Sequence, residues 1–129
     1  MNAKDRMYSR IEKHGEDLKK VFNLPEADPI KLCKKLHSLE VRANGIMTQY
    51  ANGAISMEAV DRHREIIAAD LVKIIGAENM TKIYINGDPR GYTLKLNQAA
   101  TEQAQASGIN IHRDWGGYGI IAPEFDGKA

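Results

Sequence analysis

Cysteine is all but missing from this chain of 129 residues: Cys33 stands alone. No intramolecular disulfide can form, and nothing argues for a secreted, disulfide-stapled scaffold. Long hydrophobic runs are missing too, and none approaches the roughly 20 apolar residues that a membrane span requires. Charge of one sign is also lacking. The formal net charge is +1, with 13 Lys and Arg against 12 Asp and Glu in residues 1–80, and 5 against 5 in residues 81–129. No global field therefore favours nucleic acid as a main partner or an anionic membrane surface. There is no internal repeat and no low-complexity stretch. The opening Met1-Asn2-Ala3-Lys4-Asp5-Arg6 is charged and leads into no apolar core, so it is not read as a signal peptide. The expected location is the cytoplasm.

What is present suits one globular domain over residues 1–129. Hydrophobic residues make up 43% and charged residues 27%, enough to bury a core of about two-thirds of the unfolded surface. Residues 1–76 read as helical. Met7, Ile11, His14, Leu18 and Val21 or Phe22 recur at three- and four-residue steps, predicting a helix over 4–22 that stops before Pro25. Gly15 falls inside it and weakens it by about 1 kcal/mol relative to alanine. Asp28-Pro29 is a start signal. Leu32, Leu36, Leu39, Ala43, Ile46 and Tyr50 then form a stripe that carries a second helix across Asn44-Gly45 to about Ala51, closed by Asn52-Gly53. Ser56 caps a third, with Met57, Val60, Ile67, Leu71 and Ile74 as its stripe, broadened by Ile66 and Ile75, and Gly76 as its end. Cys33, between Leu32 and Leu36, reads as a buried, inert thiol. Short connections imply antiparallel packing. Two long stripes beside a small sheet also predict a homo-oligomer through the second and third helices.

Residues 81–125 read as a small sheet bearing the candidate site. Lys82-Ile83-Tyr84-Ile85 and Tyr92-Thr93-Leu94-Lys95-Leu96 alternate about a tight Asn86–Gly91 connection, the pattern of a hairpin. Asn97 caps a short helix through Ala106, ended by Gly108 and thinly packed at the surface. Ile109-Asn110-Ile111-His112-Arg113 alternates as a third strand, and Tyr118-Gly119-Ile120-Ile121-Ala122 as a fourth. Helices followed by strands give an expected α+β fold: about three antiparallel helices, then an antiparallel sheet of three to four strands with one short helix inserted.

Two turns carry the chemistry. Gly87 and Gly91 free the backbone and Pro89 stiffens the loop, which holds Asp88 and Arg90 at its tip. Asp114-Trp115-Gly116-Gly117 is its counterpart, with Tyr92 and Tyr118 at the edges. If the two hairpin ends converge, Asp88, Arg90, Gly91, Tyr92, Trp115, Gly116, Gly117 and Tyr118 form a shallow cleft. An arginine fork, glycine-exposed amides and stacking rings there suit an anionic, nucleotide-like ligand. Trp115 would then wall the cleft opposite Arg90. The plain alternative makes Asp88 and Arg90 an internal turn pair and the aromatics core. His112 and Asp114, two apart on a strand, would share a face and offer a general-base pair, with Asp88 nearby. His14, His37 and His63 lie one per helix without the i, i+4 pairing of a metal site, so neither metal nor cofactor is expected. Lys19, Lys20, Lys31, Lys34 and Lys35 interleave with Glu16, Asp17 and Glu26 as a mixed solvated face.

The Gly87-Asp88-Pro89-Arg90-Gly91-Tyr92 turn with its Thr93-Leu94-Lys95-Leu96 strand, and Asp114-Trp115-Gly116-Gly117-Tyr118-Gly119 after it, resemble a set of uncharacterised small proteins of bacteriophages and other mobile elements. The resemblance spans roughly residues 81–122. It implies a phage or prophage origin and interference with host machinery, and it transfers no activity. The resulting expectation is a non-enzymatic binding protein that acts on a host protein or sequesters a nucleotide-like anion. The alternative is a small hydrolase or nuclease using His112, Asp114 and Asp88.

Overall fold

The computed structural model describes residues 2–88, 91–115 and 120, and residues 84–88 and 91–93 by their backbone alone. Local signals set the helix ends. The Asn2 side-chain oxygen accepts the Asp5 amide at 2.9 Å and starts α1, Ala3–Phe22. Asn23 ends it in the left-handed conformation, φ 52°, its N–H turned back onto the Lys19 and Lys20 carbonyls. Asp28 accepts the Lys31 amide at 3.0 Å and starts α2, Pro29–Ala51, with proline in the first turn. Ser56 accepts the Ala59 amide at 3.2 Å and starts α3, Met57–Ile75. A 3₁₀ segment, Ala77–Lys82, leads into the strands β1, Ile83–Asp88, and β2, Gly91–Leu96. The helix α4, Gln98–Ala106, and the single turn α5, Ile111–Asp114, follow.

The second helix packs against both α1 and α3 and also carries β2. The apolar stripes meet in one core: Leu18 and Phe22 from α1, Leu36 and Ala43 from α2, Ile67, Leu71 and Ile75 from α3. Leu94, Leu96, Ile111, Trp115 and Ile120 close it from the other side. Each such side chain, fully withdrawn from water, contributes roughly 1.5–3 kcal/mol before its conformational entropy is counted. The strands pair antiparallel from Ile83 opposite Leu96 to Asp88 opposite Gly91. Glu40 of α2 fastens this hairpin, its carboxylate accepting the Leu94 amide at 3.3 Å.

Gly15 is where α1 and α2 touch. A Cβ built there would lie 2.0 Å from the Pro29 carbonyl oxygen and 2.8 Å from the Pro29 Cα. The residue that weakens α1 locally is what lets the first turn of α2 rest on it. Gly45 is different: no atom lies within 4 Å of its would-be Cβ, and α2 runs straight through Asn44-Gly45.

The α+β expectation is overturned, because the described residues are mostly helical and form no sheet of three or four strands. Strand among the described residues is confined to β1 and β2. Residues 109–113 do not form a strand. Asn110 accepts the Arg113 amide at 2.8 Å and caps α5 instead. Both isoleucines of the alternating pattern are still buried, so burial of Ile109 and Ile111 did not require extended backbone. Of the fourth expected strand only Ile120 is described, its N–H donating to the Leu94 carbonyl at 3.2 Å. The helix α4 is not a thin surface element either, since Ala100, Thr101 and Ala104 are buried. Most of the stripe residues expected to drive self-association are covered within the chain, Leu36, Ala43, Ile67 and Leu71 among them. Apolar residues do remain exposed: Tyr8 on α1, Val41 at 52% on α2, and Met57, Ile66 at 54% and Val72 on α3. Ile66 and Val72, six residues apart, point about 120° away from each other around α3.

Candidate functional site

Three helices end together at one end of the bundle. The Asn79 side-chain amide donates to the Phe22 carbonyl of α1 and the Ile75 carbonyl of α3, each at 2.7 Å. The Lys82 ammonium donates to the Val21 carbonyl at 2.7 Å. The last turn of α4 lies beside them, its Gln103 and Ala104 carbonyls taken up by the Ser107 and Ile109 amides. Helix C-termini carry partial negative charge and unpaired carbonyls. At the end of α1 each of those carbonyls is answered, by Asn23 and Leu24 for Lys19 and Lys20, by Lys82 for Val21, and by Asn79 for Phe22.

Two grooves flank this junction and share Asn23 and Lys82. The smaller, about 330 Å³, runs between α1 and α4, with Lys20, Lys82, Asn23, Gln103 and Ser107 over a floor that includes Ala104. The larger, about 640 Å³, runs between α1 and α3 past Leu24, Ile75 and Ala77, with Glu78 at its edge. Sequence reading missed this place because Asn79 and Lys82 were placed in a connection and a strand start. The available signal was a polar Asn and Lys within seven residues of the Gly76 helix stop.

Most of the expected site residues fall, whole or by their side chains, outside the described part of the chain. Arg90, Gly116, Gly117 and Tyr118 lie outside the described residues, as do the side chains of Asp88 and Tyr92, while Gly91 opens β2 opposite Asp88. Trp115 is not a cleft wall. It is 0% exposed and lies against the His14 ring of α1, centroids 4.9 Å apart and planes tilted by 59°. The His14 Nε2–H donates to the Ile120 carbonyl at 2.5 Å, which seals the packing. The large ring found its cover on α1, a partner that alternation within the hairpins could not reveal.

Asp114 and His112 do not share a strand face, since both lie in the single turn α5. The Asp114 carboxylate accepts from Arg113 Nε at 2.8 Å and Nη2 at 3.1 Å, and from Lys13 Nζ at 3.3 Å. The Arg113 hydrogen bonds, aided by Lys13, hold its pKa below the ordinary carboxylate value, against a smaller opposing effect of burial. A carboxylate so engaged is a poor proton acceptor. His14 is buried while His63 is exposed on α3. Among the described residues no three His, Cys, Asp or Glu side chains are placed to hold a metal ion. Cys33 is buried, and desolvation pushes its thiol up to about 12. No described helix is long and apolar enough to cross a membrane. Comparison with known proteins finds no match to this chain among family models, curated proteins or solved structures.

Proposed function

We propose that this chain is a non-enzymatic binding protein of phage or mobile-element origin, acting in the bacterial cytoplasm on an anionic ligand or a host protein. The observation that carries the reading is the pair of grooves sharing Asn23 and Lys82 at the end of the bundle. Concave surface with a few fixed polar groups over an apolar floor is what a ligand site requires. Origin and host interaction rest on the resemblance of the Gly87–Tyr92 and Asp114–Gly119 stretches. The hydrolase alternative is disfavoured by Asp114, whose oxygens are spent on Arg113 and Lys13. Assembly into a homo-oligomer through α2 and α3 stays part of the proposal, with Val41, Met57 and Ile66 as the apolar residues still exposed there.

A titration of the isotopically labelled protein with nucleotides, cyclic dinucleotides and inorganic phosphate, followed by amide chemical shifts, tests the reading. Saturable shifts at the groove residues without turnover support it. Turnover of a phosphodiester or ester substrate by the purified protein, abolished by Asp114→Asn, would refute it.

A further inference from the structure

We infer that the smaller groove is built for a small organic anion: an anionic oxygen head, carboxylate or phosphate ester, on a short apolar body. The inference rests on the binding reading above and names its ligand class and place. The first argument is an account of donors and acceptors. The carbonyls at the ends of α1 and α4 are taken up internally, and the Ser107 hydroxyl donates to the Gln103 carbonyl at 3.0 Å. What remains open beside the Asn23 and Gln103 amide oxygens is donors. Lys82 gives one N–H to Val21 and keeps two. Lys20 has no partner among the described residues, and the Asn23 and Gln103 amides add further N–H groups.

The second argument is charge. Among the described residues no acidic side chain lines the smaller groove, whereas Lys20 and Lys82 bring two full positive charges. Against them stand two helix C-termini of about half a charge each, so the positive sign wins. The larger groove differs in having Glu78 at its edge. The third argument is the floor. Val21, Ala100, Ala104 and Ile109 are apolar, so a bare inorganic ion leaves that surface uncovered, while a short alkyl or aromatic body covers it. A volume of about 330 Å³ is at the small end for such sites, which limits the body to a few carbons.

The experiment uses the whole chain and four probes of one length: hexanoate, hexyl phosphate, hexanol and hexylammonium. Hexanoate or hexyl phosphate is expected to shift the Lys20, Asn23, Gln103 and Ser107 amides saturably. The stronger of the two identifies the head group. Hexanol and hexylammonium are expected to leave those amides unmoved at the same concentration. Two exposed positions supply the variants. Lys20→Gln should weaken binding by about threefold to tenfold, and Gln103→Glu by about tenfold or more, by losing or opposing a charge-assisted hydrogen bond. Lys82 is left alone because it also caps α1. Both variants should melt within about 2 °C of the parent, since neither side chain is buried. Equal shifts with hexylammonium, or saturable shifts confined to Leu24, Ile75 and Ala77, would overturn the inference. The latter result would leave the broader binding reading standing in the larger groove. Turnover of an ester substrate would instead remove that broader reading.

Discussion

Replacing Gly15 with alanine should destabilise this protein, although by helix propensity alone the change stabilises. An alanine in a helix interior is better than glycine by about 1 kcal/mol. At Gly15 the added methyl would stand 2.0 Å from the Pro29 carbonyl oxygen, with the Pro29 carbonyl carbon at 2.5 Å. The obstacle is backbone, which has no rotamer to escape into, so α1 and α2 must part. Overpacking of this kind costs about 1–3 kcal/mol, and the rigid obstacle argues for the upper end. The net expectation is a loss of about 2 kcal/mol. For a chain of this size that lowers the melting temperature by about 6–10 °C. Gly45→Ala is the internal control, because nothing lies within 4 Å of its would-be Cβ. It should gain about 0.5–1 kcal/mol. Circular dichroism melts of the two variants side by side decide the matter. If both substitutions raise the melting temperature, the close approach of α1 to α2 is wrong.

Asn79→Ala should cost about 2–3 kcal/mol in urea unfolding, because it leaves the Phe22 and Ile75 carbonyls without their donor; a change under about 0.5 kcal/mol would refute the junction. Asp114 has a folded-state pKa below its unfolded one, so its contribution is present above the unfolded value of about 3.9 and is lost as pH falls through the folded value. Asp114→Asn should therefore be less stable at pH 7 and lose less on acidification than the parent; parallel pH–stability curves would contradict this. Cys33, buried with its thiol pushed up to about 12, should resist iodoacetamide at pH 8 until denaturant is added. Fast modification of the native protein would show the site to be open. Trp115, fully buried against His14, should emit as an apolar-site tryptophan and be little quenched by acrylamide, and red-shifted, readily quenched emission would place it outside the core.

The helices were legible because their signals are local. Asp28-Pro29, Ser56 and Gly76 fix ends through side chains and backbone freedom that act within one turn, and α2 and α3 end where those residues stand. The stripe from Leu32 to Ile46 was correctly read as buried, but whether a partner copy or the same chain covers it is a question of tertiary placement. Residues 109–111 show the limit most plainly. A one-residue gap between buried isoleucines fits a strand and equally fits entry into a capped turn, and the Asn110 side chain decided for the turn. The candidate cleft depended on Trp115 meeting the hairpin tip. Its actual neighbour, His14, is about a hundred residues earlier in the chain, and no spacing rule reaches that far. The bundle-end grooves were beyond spacing rules for the same reason: Asn79 and Lys82 after Gly76 hinted at a junction, but Lys20, Lys82 and Gln103 come from three separate elements.

The contacts of α1 with Asp114, Trp115 and Ile120 bear on when the protein finishes folding during its synthesis. Lys13 meets Asp114 across 101 residues and His14 meets Ile120 across 106. Translation at roughly 5–20 residues per second separates their appearance by about 5–20 s, whereas a helix forms in about 0.1–1 µs. For all that interval the His14 face of α1 lacks Trp115 and Ile120 as its cover, whatever helix the nascent segment forms. Docking of Trp115 is the step that ends the exposure, so the tempo of the ribosome, more than any local propensity, governs how long this chain is vulnerable.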